Sequence, residues 1–157
     1  MSAGQKRIRV ALSGTPWVAK QMRDTVEYAR EADIEWVDLT QLRSQKTAFR
    51  PLGRALRVIE FANGMRSADI LLQVYADRQA VWKTKVAELL GKRSILYWIG
   101  SDCYGVLRGK DADMVLRMSH RAAVNLGCGP SAMTELEALG VTATEYITPP
   151  KLNTSLS

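Results

Sequence analysis

The sequence predicts an α/β protein: one Rossmann-like, three-layer domain around a mostly parallel six-stranded sheet. Three observations carry that reading. Apolar runs of strand length alternate with segments of helical periodicity along the whole chain. Several runs end abruptly in small, turn-prone residues, as at Ser13-Gly14, Gly100-Ser101 and Gly127-Cys128-Gly129. The length, 157 residues, suits one domain with a substantial core.

Arg7–Leu12 reads as the first strand, because Ile8, Val10 and Leu12 alternate with Arg7, Arg9 and Ala11. Ser13-Gly14-Thr15-Pro16 then turns into a helix carrying Trp17, Val18, Met22 and Val26. This is the opening of a βαβ unit. Only Gly14 is present of the G-x-G-x-x-G pattern, so no dinucleotide fingerprint exists. Ile34–Leu39 is the second strand. Pro51 fits the first turn of the next helix, which is expected to run to Asn63-Gly64. Ile70–Tyr75 is the third strand, followed by a helix with Val81, Val86 and Leu89 and a C-terminal Gly91. Arg93–Ile99 is the fourth strand, with Gly100–Tyr104 as its exit loop. Asp111 or Asp113 starts a helix with Val115, Leu116 and Met118. Ala122–Leu126 is the fifth strand, Pro130 opens a helix that Gly140 stops, and Val141–Ile147 is the sixth strand. The alternation predicts right-handed crossovers and a strand order of 3-2-1-4-5-6. The domain is expected to span residues 1–150, with 151–157 as a tail or the start of a linker.

Lys and Arg number 22 against 16 Asp and Glu, a net charge of +6. Arg43, Lys46, Arg50, Arg54, Arg57 and Arg66 concentrate much of it in one region. That region reads either as a solvated helix face or as a contact for an anionic ligand or membrane surface. Nucleic acid is not expected as a partner, since no aromatics are interleaved with the basic residues. The two cysteines, Cys103 and Cys128, form no disulfide framework, and with His120 they match no metal-ligand spacing. No metal or cofactor is expected. With no apolar signal core and no run of membrane-spanning length, a cytoplasmic location is expected, with peripheral attachment at the inner membrane face as a variant.

In an open parallel sheet, ligands bind outside the carboxyl ends of the strands, at the switch point. On the expected order that point lies between strands 1 and 4. The exit loops place Gly14, Thr15, Asp77, Arg78, Gly100, Ser101 and Ser131 there as substrate-binding residues. Asp102 ends the apolar run Ile95–Ile99 and reads either as a helix cap or as a catalytic or substrate-positioning carboxylate. Ser101 lacks the G-x-S-x-G context, and a neighbouring carboxylate does not activate Cys103. His120 reads as a structural residue at a helix C-terminus. A phosphoacceptor domain would need acidic residues where Ser13-Gly14 stands.

Tyr97-Trp98-Ile99-Gly100-Ser101-Asp102 resembles the W-I-G-[ST]-D strand and loop in the amino-terminal half of bacterial glycosyltransferases of GT-B fold. Gly129-Pro130-Ser131, Thr134–Val141 and Tyr146–Pro150 are similar to the same half. In that fold two Rossmann domains face each other. The resemblance implies the acceptor-side domain of an enzyme that moves a sugar from a nucleotide-sugar donor to a glycan or lipid-linked acceptor. It implies Asp102 as the carboxylate that takes the acceptor's proton or holds the acceptor. It also implies that the donor-binding domain is a second domain or chain, so this chain is expected to be inactive alone. The alternative is a non-catalytic Rossmann-like module that binds a small anionic ligand or a partner protein.

Overall fold

Strand β1 (Ile8–Gly14) lies inside the sheet, flanked by β2 (Ile34–Asp38) and β3 (Ile70–Val74). The computed structural model describes residues 7–29, 33–43 and 50–146. Strands β4 (Arg93–Trp98), β5 (Val124–Gly127) and β6 (Thr144–Glu145) follow in order, and every pairing is parallel. Helices α1 (Pro16–Ala29), α2 (Arg50–Ser67), α3 (Arg78–Leu89), α4 (Ala112–Arg121) and α5 (Pro130–Ala138) connect them. The three-layer α/β class read from the sequence is the class observed.

The strand order is 2-1-3-4-5-6, not 3-2-1-4-5-6. The reason is burial. Ile70–Val74 is apolar or buried at every position and takes the interior place beside β1. Ile34–Asp38 carries Glu35 and Asp38 in exposed positions, which suits an edge. Arg9 and Asp69 fix the β1–β3 pairing at its start: the Arg9 N–H donates to Asp69 Oδ2 at 2.9 Å, and the Asp69 N–H to the Arg9 carbonyl at 2.8 Å.

This order makes the chain reverse its direction across the sheet once, between β1 and β3. Right-handed crossovers then put α1 on one face and the remaining helices on the other. The packing agrees. Val10, Leu12, Leu72, Val74 and Tyr97 meet Val18, Ala19 and Met22 of α1. Ala11 and Leu71 meet Phe61 and Met65 of α2, while Leu96 and Trp98 meet Val115 of α4 and Leu136 of α5. Trp98 is fully buried, and its indole N–H donates to Asn125 Oδ1 at 3.1 Å.

Among the boundaries that differ from the expected ones, two have clear local reasons. Helix α2 runs past Gly64, which is a packing glycine: a Cβ there would lie 2.4 Å from Leu39 Cδ2. Val141 belongs to the stop of α5 rather than to β6. Gly140 is left-handed (φ +74°), and the Val141 N–H donates back to the Leu136 carbonyl at 2.9 Å while its side chain is buried. The expected domain end and the tail at 151–157 lie outside the described residues.

Candidate functional site

The reversal between β1 and β3 places the switch point there, and not between strands 1 and 4. A cavity of about 470 Å³ opens at that edge, lined by Gly14 and Thr15 after β1, Gln73 and Asp77 around the β3 exit, Arg57 of α2 and Lys83 of α3. This volume suits a small ligand. Two backbone features shape it. Gly14 has φ +111°, and a Cβ there would sit 1.7 Å from the Val74 carbonyl oxygen, so only glycine lets the β1 exit pass this close to β3. Tyr75 has φ +72°, a left-handed conformation unusual for a tyrosine. Gln73 holds that turn: its Nε2 donates to the Val74 carbonyl at 3.2 Å and to the Tyr75 carbonyl at 3.1 Å.

Beneath the cavity lies a buried polar cluster. Ser13 and Gln73 are register neighbours on β1 and β3. The Lys83 ammonium donates to Ser13 Oγ at 2.9 Å. Lys83 is only 8% exposed, and its Nζ lies 6.0 Å and 5.8 Å from the ring centroids of Phe61 and Trp82. Burial pushes its pKa down, and the charge of Asp77 pulls it partly back up. Gln73 is 1% exposed, and its Oε1 has no hydrogen-bond partner among the described residues. Asp77 caps α3, with Oδ1 accepting from the Ala80 N–H at 2.9 Å.

The residues expected from sequence divide into groups. Gly14, Thr15 and Asp77 meet at this cavity, and Arg57 of the basic region joins them. Arg78 and Ser131 are exposed on the first turns of α3 and α5 and do not line it. Gly100 (φ +95°) and the exposed Ser101 lead into a π-helical turn over Asp102–Val106, where a plain loop was expected. Lys46 lies outside the described residues. Ser13, Gln73 and Lys83 were not singled out. A lysine on a helix reads as solvated and a glutamine in a strand reads as neutral. The one available signal was a polar residue inside the otherwise apolar run Ile70–Val74.

Asp102 is fully buried. Its Oδ2 accepts from the Ala76 N–H at 3.0 Å, and its Oδ1 accepts from the N–H groups of Ile99 at 3.0 Å and Cys103 at 3.1 Å. Burial pushes the carboxyl pKa up, and these N–H groups pull it back. The same burial raises the Cys103 thiol to about 12. No three His, Cys, Asp or Glu side chains among the described residues group as metal ligands.

A larger cavity, about 610 Å³, lies between α3 and α4 at the opposite edge of the sheet, near Arg93, Ser94 and Ala123 where β4 and β5 begin. Glu88 is paired with Lys85 and Arg121 on its wall. The amino-terminal edge of a parallel sheet is not where its helix N-termini converge, so we place the functional site at the switch point.

Sheet order, layer arrangement and the cavity at the carboxyl edge together define a Rossmann-like domain. Among solved structures, the chain is similar to a Listeria monocytogenes protein described as a UDP-N-acetylglucosamine 2-epimerase. The TM-score is 0.58 at 15% identity, over 92% of this chain and 45% of that one. The chain thus spans less than half the length of that structure, and at this identity the likeness is one of fold. No protein-family model matches the sequence, and no curated protein does.

Proposed function

We propose that this chain forms one half of an enzyme acting on a nucleotide sugar, with the switch-point cavity as one wall of a cleft that a second Rossmann-type domain or chain closes. The observation that carries the reading is the cavity itself, open to one side at the carboxyl edge of the sheet and lined by Lys83, Arg57 and the start of α1. Two exposed aromatics border the same edge: Trp17 in the first turn of α1, 68% exposed, and Tyr104 after β4, 44% exposed. Such rings stack on a sugar or pack against a facing domain. The similar structure is more than twice as long as this chain, which fits a two-part cleft. Within this reading the chain is the acceptor side of a glycosyltransferase, and Asp102 braces the β3 and β4 exits from inside while the cavity residues meet substrate. Release of nucleotide from a sugar nucleotide is assayed with the chain alone and with a supplied donor-binding domain. Turnover only in the pair is the expected result, and transfer by the chain alone would sink the two-part reading.

A second reading is a binding module without catalysis. It is favoured by two carboxylates of the rim: Asp102 is buried and Asp77 is engaged as a helix cap. Stabilisation by a nucleotide sugar in a thermal-shift experiment, with no turnover in either assay, would favour this module.

A lipid-linked acceptor would bring the chain to a membrane. Leu52, Leu56 and Ile59 recur at i, i+4 and i+7 on α2 and are 51%, 38% and 56% exposed, with exposed Arg50 and Arg54 on the same part of the helix. This pattern supports peripheral contact with an anionic surface. Among the described residues no helix is long and apolar enough to cross a membrane. Cosedimentation with anionic but not neutral vesicles, lost in Leu56→Glu, is expected.

A further inference from the structure

We propose that Lys83, held from beneath by Ser13, and Arg57 form a phosphate subsite in the switch-point cavity, and that Gln73 reads a hydroxyl beside that phosphate, so the cavity takes a sugar phosphate group. The inference deepens the reading above by naming what the cavity holds, and it does not depend on whether a sugar is transferred.

The first line of argument is the state of Lys83. Its ammonium has three N–H donors, and one is given to Ser13. No carboxylate among the described residues lies within ion-pair distance of it; Asp77 acts on it only from further away. A buried cation without an anion is costly, and proteins retain one where something on the outside supplies the counter-charge. Ser13 accepts from Lys83 and holds the ammonium beneath the cavity. Arg57 has its Nε tied to the Gly53 carbonyl at 3.3 Å, which leaves its terminal amino groups for the cavity it lines. Donors from α2 and α3 thus approach from two elements. An ammonium and a guanidinium together match the double charge of a phosphate monoester better than the single charge of a carboxylate.

The second line is independent. Gln73 Oε1 is buried and lacks a donor. Its Nε2 donates to two carbonyls, so the amide cannot be turned round without placing oxygen against oxygen. Orphaned acceptors of this kind are rare, and this one belongs to a residue of the cavity lining. A phosphate with a carbon-bound hydroxyl donor beside it is what a sugar phosphate offers and inorganic phosphate does not.

Isothermal titration calorimetry on the full chain tests this with glucose 1-phosphate, inorganic phosphate and glycerate. Glucose 1-phosphate is expected to bind at least tenfold more tightly than inorganic phosphate. Lys83→Met is expected to weaken both at least tenfold. Gln73→Leu is expected to bring the ratio of the two close to one while inorganic phosphate binding persists. Because Gln73→Leu also loosens the Tyr75 turn, the wild-type side-chain amide of Gln73 is followed by NMR: glucose 1-phosphate should shift it, and inorganic phosphate should not. The proposal is overturned if Lys83→Met binds as the wild type does, if glycerate binds more tightly than glucose 1-phosphate, or if none of the three binds at millimolar concentration, the outcome in which water alone satisfies Lys83 and Gln73. Sugar phosphate binding without transfer in the paired assay would defeat the enzymatic reading and leave this inference standing. Transfer unaffected by Lys83→Met would do the reverse.

Discussion

The carboxylate of Asp102, after β4, accepts a hydrogen bond at 3.0 Å from the backbone N–H of Ala76, after β3. Two neighbouring exits of the sheet are thereby tied together from inside, beside the cavity that Asp77 and Gln73 line. With two further N–H donors at Ile99 and Cys103, the side chain replaces backbone partners that the two exits lack.

Asp102→Ala is expected to destabilise the fold by about 3 kcal/mol or more, because three N–H groups, two of them in buried hydrogen bonds, lose their acceptor. Asp102→Asn keeps one oxygen but points an amide N–H₂ at a donor, so it should also lower stability clearly. Urea unfolding of both variants checks this. Unchanged midpoints would remove Asp102 from its bracing role and return it to the substrate side.

Lys83 sets a pH dependence whose sign follows from its burial. Its folded pKa lies below the ordinary lysine value of about 10.4, so between the two the unfolded chain binds more protons. Stability should therefore rise as pH climbs through that window, with Asp77 reducing the effect and Ser13 and Gln73 uncharged throughout. Lys83→Met should abolish the rise and be at least as stable as the wild type at pH 7, since a buried charge is replaced by an apolar chain. Denaturant unfolding from pH 7 to 10 measures both.

Gly14→Ala is expected to cost about 3 kcal/mol or more, combining an unfavourable positive φ with a clash against the β3 backbone. Thermal unfolding and recovery of soluble protein would register it. An alanine tolerated here would mean that the β1 exit does not pass β3 as described.

Cys103 is expected to resist alkylation in the folded protein. With its pKa at about 12, the thiolate fraction at pH 8 is on the order of 10⁻⁴. Cys128, less buried, should react first with iodoacetamide. Mass spectrometry of the peptides distinguishes the two, and equal labelling would contradict the burial of the Asp102–Val106 turn.

The alternation of elements was legible in the chain because each strand is a compact apolar run and each helix has a start or stop residue, such as Pro130 and Gly140. The strand order was not read correctly, although the contrast between Ile70–Val74 and Ile34–Asp38 was visible. Connection order alone does not say on which side of β1 the second strand falls; burial does. The position of Gly14, Thr15 and Asp77 in exit loops is enough to bring them to one cavity. Lys83 and Gln73 escaped because their environment comes from α2, α3 and β1 together, and no local pattern encodes it. Asp102 stands out in the sequence at the end of an apolar run, but the sequence cannot distinguish a carboxylate facing a ligand from one facing three backbone N–H groups.

The pairing of Arg9 with Asp69 also sets a timetable for synthesis. The two residues are 60 positions apart, and a ribosome adding roughly 5–20 residues per second takes about 3–12 s to cover that distance. For those seconds β1 has β2 as its only available neighbour, and its other edge, with Val10 and Leu12 on it, is an open template in a crowded cell. The nascent chain is thus most exposed to mispairing before Ile70–Val74 emerges, and a chaperone acting on this protein has its work concentrated in that interval.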